Sequence, residues 1–286
     1  MGTPFAPECS MAIINAKRIL VAHDFSPTSE AARDYAIGLA SALHAALDVV
    51  HVTDKADSPL PFNAGFEVLP GSPQREIPRY AHDRDIDLIV MGTHGLRSFA
   101  QAAVGSVAAR VVRNAPCPVL TVRLPRRPFG VSNVLVGLDF EPASVNALAY
   151  GRAFCQTFGA RLHVLHAMEN YFLRPIVPDP KMLEFRVYEQ LDEMITQDDR
   201  KSLQATTIVT VSDTPADALL EYAPRGNIDL IVLGTHGGRA INRLLLGSVS
   251  ERVVRLSPSP VLTVHHPERD FLLPQAVLAN VAARHL

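Results

Sequence analysis

The chain has 286 residues, 48% hydrophobic and 20% charged, with a formal net charge of −2. At roughly 150 residues per domain this length suggests two domains, and the composition is that of a globular protein. The near-neutral charge removes any general attraction to nucleic acid, no apolar run approaches the ~18 residues of a membrane span, and the three cysteines form no CxxC pair, which argues against a disulfide framework or a thiolate zinc site.

In chain order, Met1 to Ser10 lacks the basic-then-apolar pattern of a signal peptide, so a reducing, cytoplasmic location is expected. A strand is predicted over Arg18 to Ala22, then Asp24, a helix from about Ser29 to His44 and a strand over Leu47 to Val52. The stretch ADSPLPFNAG has turn composition. Next come a strand over Phe66 to Leu69, a helix over Pro73 to Arg84, a strand over Asp87 to Met91, a GTHG turn, a helix from Gly105-Ser106 and the strand PVLTV. Pro125 to Val131 has linker composition.

The same order then recurs. Strand Val134 to Gly137 leads to Asp139, helix Ser144 to Phe158 and strand Arg161 to Ala167. A helix is predicted within Lys181 to Leu203, then strand Thr207 to Val211 and helix Pro215 to Arg225. Strand Asp229 to Leu233, a second GTHG turn, a helix from Gly247-Ser248 and a second PVLTV close the copy. Ser248-x-x-Glu251 reads as a capping box. The tail from Pro267 to Leu286 holds one short amphipathic segment, expected to pack on the body or, less favoured, to bind a partner.

Residues 86–122 align without gaps on residues 228–264, with 23 identities in 37 positions and an offset of 142. Asp24 with Asp139 and His51 with His166 give an offset of 115, so copy one is shorter by 142 − 115 = 27 residues, placed between about Thr53 and Phe66. Apolar strands alternating with helices predict parallel sheets covered on both faces. The units expected are residues 17–124, a linker at 125–131, residues 132–266 and a tail at 267–286.

In such sheets ligands sit beyond the carboxyl ends of the strands. Asp24 and Asp139 fall there, as does a doubled G-x2-G-x9-G-S pattern: Gly92, Gly95, Gly105, Ser106 and Gly234, Gly237, Gly247, Ser248. Glycines let backbone N–H groups approach a ligand, and a helix opening at Gly-Ser presents unpaired N–H groups to a phosphate. The bland alternative is that the glycines make a tight turn and the serine caps a helix. Neither the dinucleotide fingerprint nor the Walker loop is present.

With these residues both copies resemble the universal stress protein family, whose nucleotide-binding members carry G-x2-G-x9-G-[ST] after the fourth strand. The resemblance spans roughly residues 17–266. It implies two tandem open α/β parallel five-stranded sheets of order 3-2-1-4-5, flanked by helices and paired through Val119–Val122 and Val261–Val264 as an intramolecular pseudo-dimer. It implies ATP, alone or with Mg2+, as ligand, with Asp24 and Asp139 near adenine and ribose and backbone groups of Val52 and Ala167 at adenine. Gly92, Gly95, Gly234 and Gly237 would border ribose and phosphate. Gly105, Ser106, Val107, Gly247, Ser248 and Val249 would receive the phosphates. Copy two carries Glu141 where copy one keeps Ser26, a carboxylate that repels phosphate if it faces the pocket. It also adds Arg239 and Arg243, against Arg97 alone in copy one, which favours the second site.

Eleven histidines are dispersed along the chain. His94 and His236 are expected to position the GTHG loops, and His51 and His166 to be buried and hydrogen-bonded. His163 and His166, and His265 and His266, point to opposite faces of their strands, a poor arrangement for chelation. No GxSxG or HExxH occurs. The reading is a cytoplasmic ATP-binding stress protein with at most slow hydrolysis, no membrane or nucleic-acid partner, and room for two chains to associate. The alternatives are a nucleotide-free interaction scaffold and, behind it, a nucleotide hydrolase or transferase.

Overall fold

A computed structural model describes residues 13–54, 65–93, 106–123, 129–168, 180–235 and 247–264. Among these residues ten strands and eight helices are formed, the first half in the order β1 (Arg18–Ala22), α1 (Pro27–Leu43), β2 (Ala46–Thr53), β3 (Glu67–Pro70), α2 (Pro73–Asp83), β4 (Leu88–Gly92), α3 (Ser106–Asn114) and β5 (Val119–Val122). The second half repeats them as β6 (Asn133–Gly137), α4 (Pro142–Phe158), β7 (Arg161–Met168), α5 (Pro180–Met194), α6 (Gln197–Ser202), β8 (Thr206–Val211), α7 (Pro215–Arg225), β9 (Leu230–Gly234), α8 (Ser248–Leu256) and β10 (Val261–Val264). Proline opens α1, α2, α4 and α7, where its missing N–H costs nothing and its fixed φ already suits a helix.

The two expected five-stranded sheets are halves of one ten-stranded sheet, ordered β3-β2-β1-β4-β5-β10-β9-β6-β7-β8. Each half keeps the order 3-2-1-4-5 and is parallel within itself. They join where β5 and β10 pair antiparallel, Val261 opposite Thr121 and Thr263 opposite Val119. The hydroxyls of Thr121 and Thr263 donate across this joint to Val261 O and Val119 O at 3.2 and 3.1 Å. Because the joint is antiparallel, the carboxyl ends of β1 and β4 open at one edge of the sheet and those of β6 and β9 at the opposite edge. The two glycine patterns therefore belong to two separate sites.

One face of the sheet is covered by α1, α4 and α5 in a core running through both halves, the other by α2, α3, α7 and α8. The end of the expected linker belongs to the first core. Phe129 meets Tyr35 of α1 and Phe158 of α4 edge-on, with ring centres 5.1 and 5.9 Å apart. A Cβ on Gly38 would lie 2.7 Å from Phe129, so the small residue in α1 is what admits the ring.

The single helix expected within Lys181 to Leu203 is two. Thr196 stops α5 and caps α6, its hydroxyl accepting from Asp199 N at 3.1 Å while Thr196 N donates to Asp199 Oδ2 at 2.8 Å, a complete capping box. Asp199 also takes Arg152 Nε at 2.9 Å and Nη2 at 2.7 Å, and that guanidinium donates to Met194 O. Burial raises the carboxyl's pKa, but Arg152 and Thr196 outweigh it and hold Asp199 below the ordinary carboxylate range.

Register places the length difference more finely. His51 lies opposite Val68 and His166 opposite Val209, an offset of 141 between β3 and β8. Against 115 for β2 and β7 this leaves 141 − 115 = 26 residues between the second and third strands, and the remaining one in the turn before Pro73 or Pro215. The ADSPLPFNAG segment lies almost wholly outside the described residues.

Candidate functional site

The two strand ends are built alike. After β1, Phe25 adopts φ 62°, and after β6, Phe140 adopts φ 65°, left-handed values rare for a bulky residue. Three hydrogen bonds are common to the two turns. Ser26 N donates to Asp24 Oδ1 at 3.1 Å, Asp24 N to Ser29 Oγ at 3.3 Å, and Ser29 Oγ to Ser26 O at 3.0 Å. The second repeats them: Glu141 N to Asp139 Oδ1 at 3.1 Å, Asp139 N to Ser144 Oγ at 3.2 Å, and Ser144 Oγ to Glu141 O at 2.9 Å. Each aspartate thus commits one carboxylate oxygen to its own turn. Asp24 is half-buried and Asp139 exposed.

The second strand supports the turn from below. His51 Nδ1 lies 2.8 Å from His23 O, and His166 Nδ1 2.8 Å from Leu138 O. A carbonyl only accepts, so Nδ1 carries the proton in both rings. The rings then lean on Phe25 and Phe140 at 4.8 and 4.7 Å between centres. Both histidines are half-buried, not buried as the sequence suggested, because each sits at the open end of its strand. Burial lowers the pKa of His166, partly offset by its bond to Leu138 O and by Asp139, which favours the neutral ring. Sequence reading missed Phe25, Phe140, Ser29 and Ser144; the signal was an identical Asp-Phe and a serine five residues after each aspartate. Val52 and Ala167 are half-buried on the strands beside these turns, packed against the other core.

Gly92 and Gly234 end β4 and β9, and the close approach they permit is to the protein itself. A Cβ on Gly92 would lie 2.8 Å from Thr28 Oγ1 and 2.9 Å from Ser29 N; one on Gly234 would lie 2.6 Å from the Ala143 carbonyl carbon. Each glycine seats the first turn of α1 or α4 against the neighbouring strand end.

At the second end a further helix arrives. Ser250 Oγ in the first turn of α8 donates to Gly234 O at 2.6 Å, and Gly247 N donates to Thr235 O at 2.7 Å. The first intrahelical bond of α8 runs from Glu251 N to Gly247 O. The N–H groups of Ser248, Val249 and Ser250 precede it and are the helix's orphan donors. The capping box expected at Ser248 and Glu251 does not form: Gly247 is the N-cap, in an extended conformation, and Ser248 already lies inside the helix, exposed. Starting one residue early leaves Glu251 at the fourth helical position, past the third position that a capping box requires.

At the first end α3 begins at Ser106, followed by the half-buried Val107, and Ala108 stands where the second copy has Ser250. No side-chain tie equivalent to Ser250 can form there. Gly95, Gly105 and Gly237, with His94, His236, Arg97, Arg239 and Arg243, lie outside the described residues, as does the tail. Among the described residues no group of three histidines, cysteines or acids is placed to hold a metal ion, and no helix is long and apolar enough to cross a membrane.

The family model for the universal stress protein family matches residues 15–68, 63–123 and 130–265. The chain belongs to the universal stress protein family. A universal stress protein of Mycobacterium tuberculosis is 31% identical over 215 residues, covering 71% of this chain and 65% of the relative. Another from the same species is 29% identical over 189 residues, 62% of this chain and 61% of the relative, so the match spans less than two thirds of the length of these mycobacterial relatives. Among solved structures, a universal stress protein from Archaeoglobus fulgidus superposes with a TM-score of 0.65 at 22% identity, covering 88% of this chain and 97% of its own. A functionally unknown protein from Pseudomonas aeruginosa gives 0.64 at 18%, covering 94% and 96%. These structural likenesses establish a shared universal stress protein fold.

Proposed function

We propose that this universal stress protein binds ATP, alone or with Mg2+, at its strand ends, and that the second site is the stronger. One observation carries the reading: two helix N-termini converge on Gly234. Ala143 in the first turn of α4 abuts it, and Ser250 in the first turn of α8 donates to its carbonyl. Two positive dipole ends and three orphan N–H groups at one strand end suit a polyphosphate. The ledge of Phe140 and His166 beside Ala167 supplies an apolar, aromatic neighbourhood for a base.

The first site shares the Asp24 turn and the packing of Gly92, but lacks the serine tie. In both sites the aspartate is partly spent on its own turn, so hydrolysis is slow at most and the role is regulatory or protective, in the cytoplasm.

The test is calorimetric titration of nucleotide-stripped full-length chain with ATP, ADP and AMP, each with and without Mg2+. Binding that weakens from ATP to AMP, and a loss of at least about tenfold for Gly247→Asp from a carboxylate set against the phosphates, are expected. No binding at millimolar ATP, or AMP bound as tightly as ATP, overturns the proposal.

A further inference from the structure

The two outer edges of the sheet are unlike. At the first, β3 is four residues long and ends in Pro70. Its Glu67 accepts from Tyr80 Oη at 2.8 Å and lies 3.5 Å from Arg84 Nη2. A short edge with a charge and a proline resists pairing with another strand. At the other edge β8 reads Thr206-Thr207-Ile208-Val209-Thr210-Val211: six residues, all β-branched, none charged, with no glycine or proline. Among the described residues it pairs with β7 alone. Its own sequence carries neither the charge nor the proline that keeps an edge strand solitary.

We infer that β8 is a self-association surface, on which a second copy of the chain adds its own β8 antiparallel across a two-fold axis. The sequence is complementary to itself in that arrangement. With the axis through Ile208, as that of the joint runs through Leu120 and Leu262, Ile208 faces its own counterpart, Thr207 faces the partner copy's Val209, and Thr206 faces Thr210. No charge opposes a like charge, and the threonine pairs and β-branched pairs are favourable across strands. The chain already extends its sheet this way once, at β5 and β10, where two VLTV strands meet antiparallel with threonines bonded across the seam.

The apolar surface beside the edge fits the same occupant. Val211 is 56% exposed, and α5 exposes Met182, Phe185 and Tyr188 on one stripe at 55%, 61% and 45%. These groups share one side of the sheet. Val209 packs into the core that α5 helps build through Val187 and Leu191, and Val211, two residues on, points the same way. A two-fold axis perpendicular to the sheet keeps both copies' α5 helices on that common side, so the two stripes approach each other across the seam. The ten-stranded sheet then continues into a twenty-stranded one.

Sedimentation velocity on the full-length chain, over roughly 1 to 100 μM, tests this. A concentration-dependent dimer of the 31.1 kDa chain is expected. Val211→Lys and Phe185→Glu, both at exposed positions, should each weaken it at least about tenfold with unchanged circular dichroism, because each puts a charge into a seam of apolar side chains. In Thr206→Cys/Thr210→Cys, mild oxidation should give a disulfide-linked dimer. A wild-type chain that stays monomeric throughout overturns the inference. So does a dimer indifferent to both charge variants and to the cysteine pair, which would have formed through another surface.

Discussion

Replacing Gly234 by alanine separates two reasons for a glycine at the end of β9. If the residue is small to admit a ligand, the methyl group costs affinity and leaves the protein's stability alone. The structure gives the other answer. The added Cβ would stand 2.6 Å from the carbonyl carbon of Ala143 and 2.8 Å from its Cβ and O. Most of these atoms are helix backbone, which cannot rotate aside, so the start of α4 must shift away from the strand. Overpacking of this kind costs about 1–3 kcal/mol. At about 2–4 °C per kcal/mol for a chain of this size, thermal unfolding followed by circular dichroism should lose roughly 2 to 12 °C. Gly92→Ala meets Thr28 and Ser29 at 2.8 to 2.9 Å and should lose somewhat less. Gly130→Ala, with nothing within 4 Å of its Cβ, should be close to neutral. An unchanged melting temperature for Gly234→Ala, together with weakened ATP binding, would refute the packing argument and restore the ligand as the reason for the residue.

Other positions give independent checks. Asp199→Asn should destabilise by about 3 kcal/mol at pH 7, since it leaves the Arg152 guanidinium without its carboxylate and weakens the cap of α6. Asp199 is held below the ordinary carboxylate range, so its contribution is full above the unfolded value near about 4 and is lost as pH falls through the lower folded value. The gap in melting temperature between wild type and variant should therefore close in acid; a gap constant from pH 7 to pH 3 would contradict the assignment. The first helix of each half ends in a left-handed residue, His44 at φ 54° in one and Gly159 at φ 64° in the other. His44→Gly should raise stability by about 0.5–1 kcal/mol, the relieved strain exceeding glycine's extra chain entropy, as read by chemical denaturation.

Most of the fold was legible because each strand is an apolar run and most helices begin at proline. The repeat placed the second copy's elements on the first. What escaped lies where one residue decides. Ser248 and Glu251 satisfy the spacing of a capping box, yet the loop reaches its helix at Gly247, and no pattern in the sequence marks where a loop ends. The break between α5 and α6 hides because apolar spacing runs through Thr196, and the capping partner there is an aspartate instead of the customary glutamate. The joining of two sheets into one escaped for another reason: two VLTV strands announce edges, but not whether the edges meet. At the candidate site the glycines and aspartates were legible as a set. Their division between helix seating and ligand approach required the distances.

The joint between β5 and β10 also changes what substitution can do. Between identical chains every change near a two-fold axis is made twice, so each must suit both sides. Here the two sides lie in one polypeptide and can diverge singly. Arg123, just past β5, donates to the carbonyls of Arg255 and Leu256 at the end of α8, at 3.3 and 3.4 Å, while the matching position in the second copy is His265. His23 opposite Leu138, Ser26 opposite Glu141 and Ala108 opposite Ser250 are differences of the same kind. One half can hold to its task while the other acquires a second.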